Sequence, residues 1–333
     1  MPACIRRFLA LLGVVTMVTL VQIFKQPLLF DASLAAKAGE VRNANTTVPL
    51  QVQDNSPTSC ELSPEGPLPV ILMSLGRSGS SVTWDTMSAL TGQRNVAYEL
   101  TGGNPDTSKE FFSHLEEDPR KGHDWAVKKL CFLQKKRDVL QGTGIVGFQW
   151  KPFMSSFNSD YAIEGLKEIA ARHIVIVYLT RNPIDRKISN LKHVRSRTSS
   201  DRISAHCGVG DQACIKKHAA FDQEIVFPIG GELLSWIRDA VNDNHKIKKR
   251  LHDLDVKFIE ISYERLYNAN DAEEWMRIFK FLGIGPSDNL SMDNIRATSS
   301  MASTHSKGKN ETIANFVEVE NTLAGTEFEH FLL

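Results

Sequence analysis

The sequence predicts an α/β fold in which a parallel sheet is flanked by helices on both faces, preceded by an N-terminal transmembrane helix and a stem. Three observations predict it. Beyond residue 66, short apolar runs alternate with segments of helical periodicity, an order typical of parallel strands joined by helices. Two of these runs end in turns rich in arginine and serine. One long apolar segment lies within the first 24 residues.

The apolar runs predict strands at 70–73, 95–98, 125–130, 145–150, 174–179 and 257–261. The segments of helical periodicity predict helices at 81–90, 162–171, 183–195, 232–251 and 272–282. Ligands of such sheets bind beyond the carboxyl ends of the strands. Arg77, Glu99, Lys151 and Arg181 lie at or just beyond the ends of predicted strands, so they are expected to face one crevice.

The first turn, at residues 74–81, is P-loop-like because it connects an apolar strand to a helix through Gly76 and Gly79. Ser80 or Ser81 can cap the helix, whose N-terminus favours an anion. Arg77 adds a positive charge within the loop. A nucleoside-triphosphatase loop would require a lysine before the serine, and none precedes Ser80.

The second turn follows the strand at 174–179. Arg181 comes directly after this strand, and Pro183 suits the first turn of a helix because that position needs no N–H. Ser189 follows along the helix. Arg181 and Ser189 could bind one phosphate if the chain folds back there. The alternative is that Arg181 is an ion-paired surface residue.

Together, these two segments resemble the sulfotransferase superfamily, and in particular its membrane-bound Golgi branch of carbohydrate sulfotransferases. Residues 77–81 resemble the family's 5′-phosphosulfate loop, and 179–189 its 3′-phosphate segment. Residues 261–266 resemble a late strand of the family, with Arg265 replacing the usual acid. The resemblance implies that the donor is 3′-phosphoadenosine 5′-phosphosulfate (PAPS). The donor-binding residues that it implies are Arg77, Ser78, Gly79, Ser80, Ser81, Arg181, Ser189 and Lys307. Lys307 belongs to a late basic loop and directly precedes Gly308.

Sulfonate transfer to a hydroxyl needs a base for the hydroxyl proton and a cation where the leaving phosphate gains charge. Glu99 is the predicted base, because related enzymes place a glutamate at a similar distance from the loop. His114, His123 and Asp124 are rival bases. Lys151 is the predicted cation, with Lys128 or Lys129 as alternatives. No metal is expected, because the transferred group carries less charge than a phosphoryl group.

The composition limits the possible function classes. The 333 residues are 42% hydrophobic with a formal net charge of +0, which argues for one large domain and against a nucleic-acid binder. A kinase-like enzyme and a non-catalytic, membrane-tethered binding protein are the other candidates. The resemblance implies a glycan or glycoprotein acceptor, with protein tyrosine as the alternative.

Residues 8–24 are apolar and follow Arg6 and Arg7. This length is at the short end for a bilayer core of roughly 30 Å, and the arginines favour a cytosolic N-terminus. We therefore predict a cytosolic tail at 1–7, a signal anchor at 8–24, a lumenal stem at 25–66 and a catalytic domain at 67–333. This organisation predicts a single-pass type II protein of the Golgi membrane. A signal cleaved near Ala38 is the alternative.

The cysteines and the glycosylation patterns fit an oxidising compartment. Four cysteines follow the predicted anchor, and Cys207 with Cys214 is the predicted disulfide pair, which would leave Cys60 with Cys131. Glycosylation acceptor patterns begin at Asn45, Asn289 and Asn310.

Overall fold

The computed structural model describes residues 61–92, 94, 98–101, 125–136, 144–152, 157–198, 207–220, 225–269, 271–286, 290–301 and 308–333. Its centre is a five-stranded sheet in which every pair of neighbouring strands is parallel. The strands, in the spatial order β2-β3-β1-β4-β5, are β1 (Leu68–Ser74), β2 (Tyr98–Thr101), β3 (Ile145–Lys151), β4 (Val175–Thr180) and β5 (Phe258–Ser262).

Helices connect the strands and follow the last one. Those up to β5 are α1 (Ser80–Leu90), α2 (Trp125–Lys136), α3 (Asp160–Ala171), α4 (Pro183–Thr198), α5 (Gln212–Ala220) and α6 (Gly230–Asp253). Those after β5 are α7 (Tyr263–Tyr267), α8 (Glu273–Leu282), α9 (Met292–Thr298), α10 (Lys309–Thr312) and α11 (Phe316–Leu323), followed by a 3₁₀ helix at Glu329–Leu332.

Alternate residues of β1, β3, β4 and β5 pack on opposite faces of the sheet, which confirms the prediction of helices on both sides. On one face, strand residues such as Ile71 and Phe148 pack against α2, α3 and α6. On the other, residues such as Leu72 and Val177 pack against α1, α8 and α9. Because both faces are covered, the central strands are mostly apolar, which makes them visible in the sequence as apolar runs.

A third buried cluster lies outside the sheet and fixes the helices around the carboxyl ends of the strands. Ile184 and Ile188 of α4 pack there with Ile237 of α6 and with Val319 and Leu323 of α11. This cluster positions the N-terminal half of α4, whose Arg186 and Ser189 contact the turn that follows β1. The strand order reverses at β1, and parallel sheets bind their ligands at such a point.

Two sequence-based element predictions are wrong. Residues 125–130 form the first half of helix α2, not a strand. Its apolar positions Ala126, Leu130 and Leu133 recur at helical spacing and face the core, whereas Lys128 is exposed. A run of six residues was too short to distinguish the two periodicities.

The second error concerns β2. The structure places it at Tyr98–Thr101, so Glu99 lies within the strand instead of following it. Glu99 is in register with Gln149 of β3, and Thr101 is in register with Lys151. Residues 95–97 lie outside the described residues.

The end of the predicted stem belongs to the folded domain. The backbone N–H of Ser63 donates to Gln134 Oε1 at 2.7 Å, and the amide nitrogen of Gln134 donates to the carbonyls of Ser63 and Pro67. These bonds hold residues 61–67 against α2, so this part of the chain is not a free linker.

The structure contains the predicted disulfide between Cys207 and Cys214. Cys131 is also disulfide-bonded, to a partner outside the described residues. Across the part of the chain that the structure describes, no helix is both long and apolar enough to span a bilayer. The predicted anchor at 8–24 lies outside that part.

Candidate active site

The glycine turn connects β1 to α1 through two residues in the left-handed backbone region. Arg77 has a φ of 66° and Gly79 a φ of 84°. Gly79 is the N-cap of α1, so the helix begins at Ser80 and its first N–H groups open toward the turn. A non-glycine residue at positive φ is costly, and Arg77 is held there by the contacts described below.

Gly79 is required because Tyr263 packs against its backbone. A Cβ at Gly79 would lie 2.3 Å from the Tyr263 ring, whereas a Cβ at Gly76 would meet nothing within 4 Å. The side chain of Arg181 covers the same tyrosine ring, with its guanidinium carbon 4.2 Å from the ring centroid. Tyr263 therefore links the glycine turn to the second turn.

Gly79→Ala is expected to lower the free energy of unfolding by about 2–5 kcal/mol, because the left-handed φ and the clash with Tyr263 both add cost. Gly76→Ala is the matched control, since that site has free space, and it should change stability by less than about 0.5 kcal/mol. Urea unfolding of both variants measures the difference. Equal stability of the two variants would contradict this account of the turn.

The second turn is fixed by Asn182, between Arg181 and Pro183. The Asn182 side chain accepts the N–H of Ile184 at 2.9 Å and donates to the carbonyl of Phe331 at 2.8 Å. Its backbone N–H donates to the Glu264 carboxylate at 2.9 Å. The helix starts at Pro183 as predicted, and these bonds fix the point where Arg181 leaves the sheet.

The two turns meet. Arg77 Nε donates to Ser189 Oγ at 3.2 Å, and Arg181 Nη1 donates to the Arg77 carbonyl at 3.2 Å. Arg186 Nε donates to the carbonyl of Gly76 at 3.3 Å. Arg181 and Ser189 are buried, so Arg181 is not the ion-paired surface residue that the sequence left open.

Lys151, the last residue of β3, reaches the same turn. Its Nζ donates to Ser74 Oγ at 3.3 Å and to Ser80 Oγ. The side chain is buried, with 7% of its surface exposed. Neither alternative lysine has a described contact with the turn: Lys128 is exposed on α2, and Lys129 lies over the Phe148 ring, where burial lowers its pKa to about 7.

Within the part of the chain that the structure describes, three buried polar atoms around the turns have no hydrogen-bond partner: Ser78 Oγ, Arg181 Nε and Arg186 Nη1. Each can donate, and a buried donor without an acceptor costs free energy. A phosphate or sulfate ester would supply acceptor oxygens to all three. The residues present therefore fit an anionic nucleotide.

Burial alters the acid–base properties of the surrounding groups. It raises the pKa of Asp185, although Lys309, whose Nζ is 3.7 Å from the carboxylate, opposes the shift. It also lowers the pKa of Arg186 and raises that of Tyr263. Lys309 also donates to the carbonyl of Leu333 at 2.7 Å, so it connects the end of the chain to α4.

A cavity of about 290 Å³ opens beside the glycine turn and Lys151. Its lining residues are Leu75, Gly76, Arg77, Lys151, Pro152, Arg186, Lys187, Asn190, Trp236 and Asp243. A larger cavity of about 450 Å³ lies between α6, the second turn and the C-terminal 3₁₀ helix. We assign the active site to the smaller one, because the larger one contacts neither the glycine turn nor Lys151.

The structure thus brings Arg77, Ser80, Lys151, Arg181 and Ser189 into one group, with Ser78, Gly79 and Ser81 in the same turn. The side chain of Glu99 is outside the described part of the structure, although its backbone is described. Lys307 and the rival bases His114, His123 and Asp124 lie outside the described residues altogether.

Sequence reasoning missed the roles of Arg186, Tyr263 and Trp236. Arg186 could have been noticed, because it lies one helical turn from Asn182 and three residues before Ser189, on the predicted helix. Tyr263 lies within the segment 261–266 that resembles the family, but nothing in that pattern indicated its contact with the turn, and Trp236 carried no local signal. Only the tertiary structure brings them to the turn and the cavity.

A family model described as "Sulfotransferase domain" matches residues 67–331. The chain belongs to the sulfotransferase family. The match covers both turns, Lys151 and all but the last residue of the C-terminal 3₁₀ helix, and the enzyme is a PAPS-dependent sulfotransferase. No curated protein matches at a significant level.

Two solved structures are similar to parts of this sulfotransferase. The first is mouse sulfotransferase SULT7A1 complexed with PAP, at 13% identity and a TM-score of 0.35, covering 79% of this chain and 74% of that one. The second is PAB0955, a GTPase in apo form from Pyrococcus abyssi, at 10% identity and a TM-score of 0.24, covering 65% of this chain and 96% of that one.

Proposed function

We propose that this sulfotransferase moves a sulfonate group from PAPS to a hydroxyl of a glycan, in the Golgi lumen, as a single-pass type II membrane protein. The observation that carries the donor assignment is the connected polar group in which Lys151 contacts Ser80 while Arg77 contacts both Ser189 and Arg181. A ligand with an anionic group at each end suits this cluster of connected polar side chains.

The donor-binding roles follow from the two turns. The backbone N–H groups at the start of α1, with Ser78, Ser80 and Ser81, bind the 5′ end of the donor, because a helix N-terminus favours an anion. Arg181 and Ser189 bind the 3′-phosphate. Arg77 lies between the two regions, and its hydrogen bonds keep them at a fixed separation.

PAPS, when bound, supplies a sulfonate group that leaves its phosphate oxygen and bonds to the acceptor oxygen. Lys151 stabilises the negative charge that collects on the phosphate side, in a buried position where a cation has a stronger effect than in water. Glu99 removes the proton from the acceptor hydroxyl. Its backbone lies on the strand next to Lys151, two residues before the register partner of that lysine. We expect no metal in this step.

The glycan acceptor and the Golgi location are supported by the resemblance to the membrane-bound branch and by the apolar segment at 8–24. The Cys207–Cys214 disulfide is consistent with an oxidising lumen. Protein tyrosine is the second candidate acceptor. It rests on the same donor site, so only the acceptor assay separates the two.

The test is a transfer assay with radiolabelled PAPS, offering glycans and tyrosine peptides as acceptors. We expect label on the glycans. Glu99→Gln should lower kcat by about 10²–10⁴-fold, because it removes the base, while the affinity for adenosine 3′,5′-bisphosphate (PAP) stays unchanged. Retained turnover by this variant would exclude Glu99 as the base, and label on tyrosine alone would replace the glycan proposal.

A further inference from the structure

Gln149 is a buried polar residue near the carboxyl end of an apolar strand. It belongs to β3, with 2% of its surface exposed, and its neighbours Phe148 and Trp150 are core residues on the opposite face. Among the described residues, its side-chain Oε1 has no hydrogen-bond partner. A buried acceptor without a donor costs free energy, so an apolar side chain of similar size would stabilise the fold better. Packing alone therefore does not explain an amide at this position.

The sheet places Gln149 on the same face as the proposed cation. Successive residues of a strand face opposite sides of the sheet. Lys151 contacts Ser80 at the start of α1, so Gln149, two residues before Lys151, also lies on the α1 side. Gly147 extends the same row, because a Cβ at that residue would lie 3.1 Å from the ring of Trp84 in α1.

The proposed base is on the neighbouring strand at the same level. Glu99 of β2 is the register partner of Gln149, so both residues belong to the α1 face of the sheet. Neighbouring strands lie about 4.8 Å apart, a separation that two side chains of this length can bridge with a hydrogen bond. The register partner on the other side is Leu72 of β1, whose side chain has no polar atom. Glu99 is therefore the register neighbour that can use the amide.

We propose that Gln149 is a positioning residue that orients the Glu99 carboxyl group toward the acceptor hydroxyl. The proposal rests on the proposed function, because Gln149 acts through the proposed base. A glutamine amide can donate to a carboxylate through its nitrogen and accept from a carboxylic acid through its oxygen. It can thus bond Glu99 both before and after the base takes up the hydroxyl proton. The second of these states gives Oε1 the donor that it otherwise lacks.

The test compares two buried glutamines of the full chain, using radiolabelled PAPS and the glycan that the transfer assay labels. Gln149→Met keeps most of the side-chain volume and removes the amide. We expect kcat to fall about 10–100-fold, because a misplaced base loses its alignment with the hydroxyl. The KM for the glycan and the affinity for PAP should stay unchanged. The midpoint of urea unfolding should stay unchanged or rise, since no hydrogen bond of Oε1 is lost.

Gln134→Met is the matched control, because this glutamine of α2 is also buried but its amide is fully used. It accepts the N–H of Ser63 and donates to the carbonyls of Ser63 and Pro67. We expect a lower unfolding midpoint with unchanged kcat. An unfolding midpoint lowered as much in Gln149→Met as in Gln134→Met would overturn the proposal, since it would show that the Gln149 amide serves the fold.

A double mutant separates this inference from the proposed function. If Gln149 acts through Glu99, adding Gln149→Met to Glu99→Gln should lower kcat by less than about twofold further. A further loss as large as in the wild-type background would overturn the positioning role, and so would wild-type kcat in Gln149→Met alone. Full turnover by Glu99→Gln would instead refute the base of the proposed function, and this inference with it.

Discussion

Lys151→Met should lower kcat/KM for sulfonate transfer by about 10²–10³-fold. The Lys151 ammonium group is buried at the end of β3 and contacts Ser74 and Ser80, the residues on either side of the glycine turn. Methionine keeps much of the side-chain volume but removes the charge that would stabilise the leaving phosphate. Steady-state kinetics with saturating PAPS measures the loss.

Lys128→Met is the matched control for this substitution. It removes the same charge from an exposed position of α2, and we expect a change in kcat/KM of less than about twofold. Thermal unfolding should show that both variants remain folded. A comparable loss of activity in the two variants, or full activity in Lys151→Met, would exclude Lys151 as the cation of the transfer step.

Arg181→Ala should weaken PAP binding by about 10–150-fold, which corresponds to a charge-assisted hydrogen bond of about 1.5–3 kcal/mol. We expect the loss to concern one end of the nucleotide, because Arg181 lies over Tyr263 and beside Arg77, and its Nε has no hydrogen-bond partner among the described residues. The affinity for adenosine 5′-monophosphate, which has no 3′-phosphate, should therefore fall much less. Titration calorimetry with both nucleotides measures this difference.

Two further variants test the assignment. Arg172→Ala changes an exposed arginine at the end of α3, before β4, and should leave both affinities unchanged. Ser189→Ala should weaken PAP binding by a smaller factor, and combining it with Arg181→Ala should give a non-additive loss, since both residues contact Arg77 and would share one phosphate. If PAP and adenosine 5′-monophosphate lose equal affinity in Arg181→Ala, Arg181 supports the turn and does not bind the 3′-phosphate.

Where sequence reasoning failed, the pattern was short or its signal was not local. The strand β2 has four residues, and nothing in its residues marks where pairing with β3 ends. Helix α2 was mistaken for a strand because residues 125–130 alone do not reveal its helical period. Each error affected the predicted position of a candidate residue. Glu99 lies on β2, and Lys128 and Lys129 lie on α2.

The sequence by itself determined the alternation of strands and helices, the two anion-binding turns and the residue types that sulfonate transfer needs, because these depend on local periodicity and on turn chemistry. Only the tertiary structure decided that Arg77 meets Ser189, 112 residues later, and that Tyr263 packs on Gly79. It also decided that α4 and α6 line the cavity beside Lys151. Such contacts depend on the order of strands in the sheet and on burial of the helix faces, which are properties of the whole packed chain.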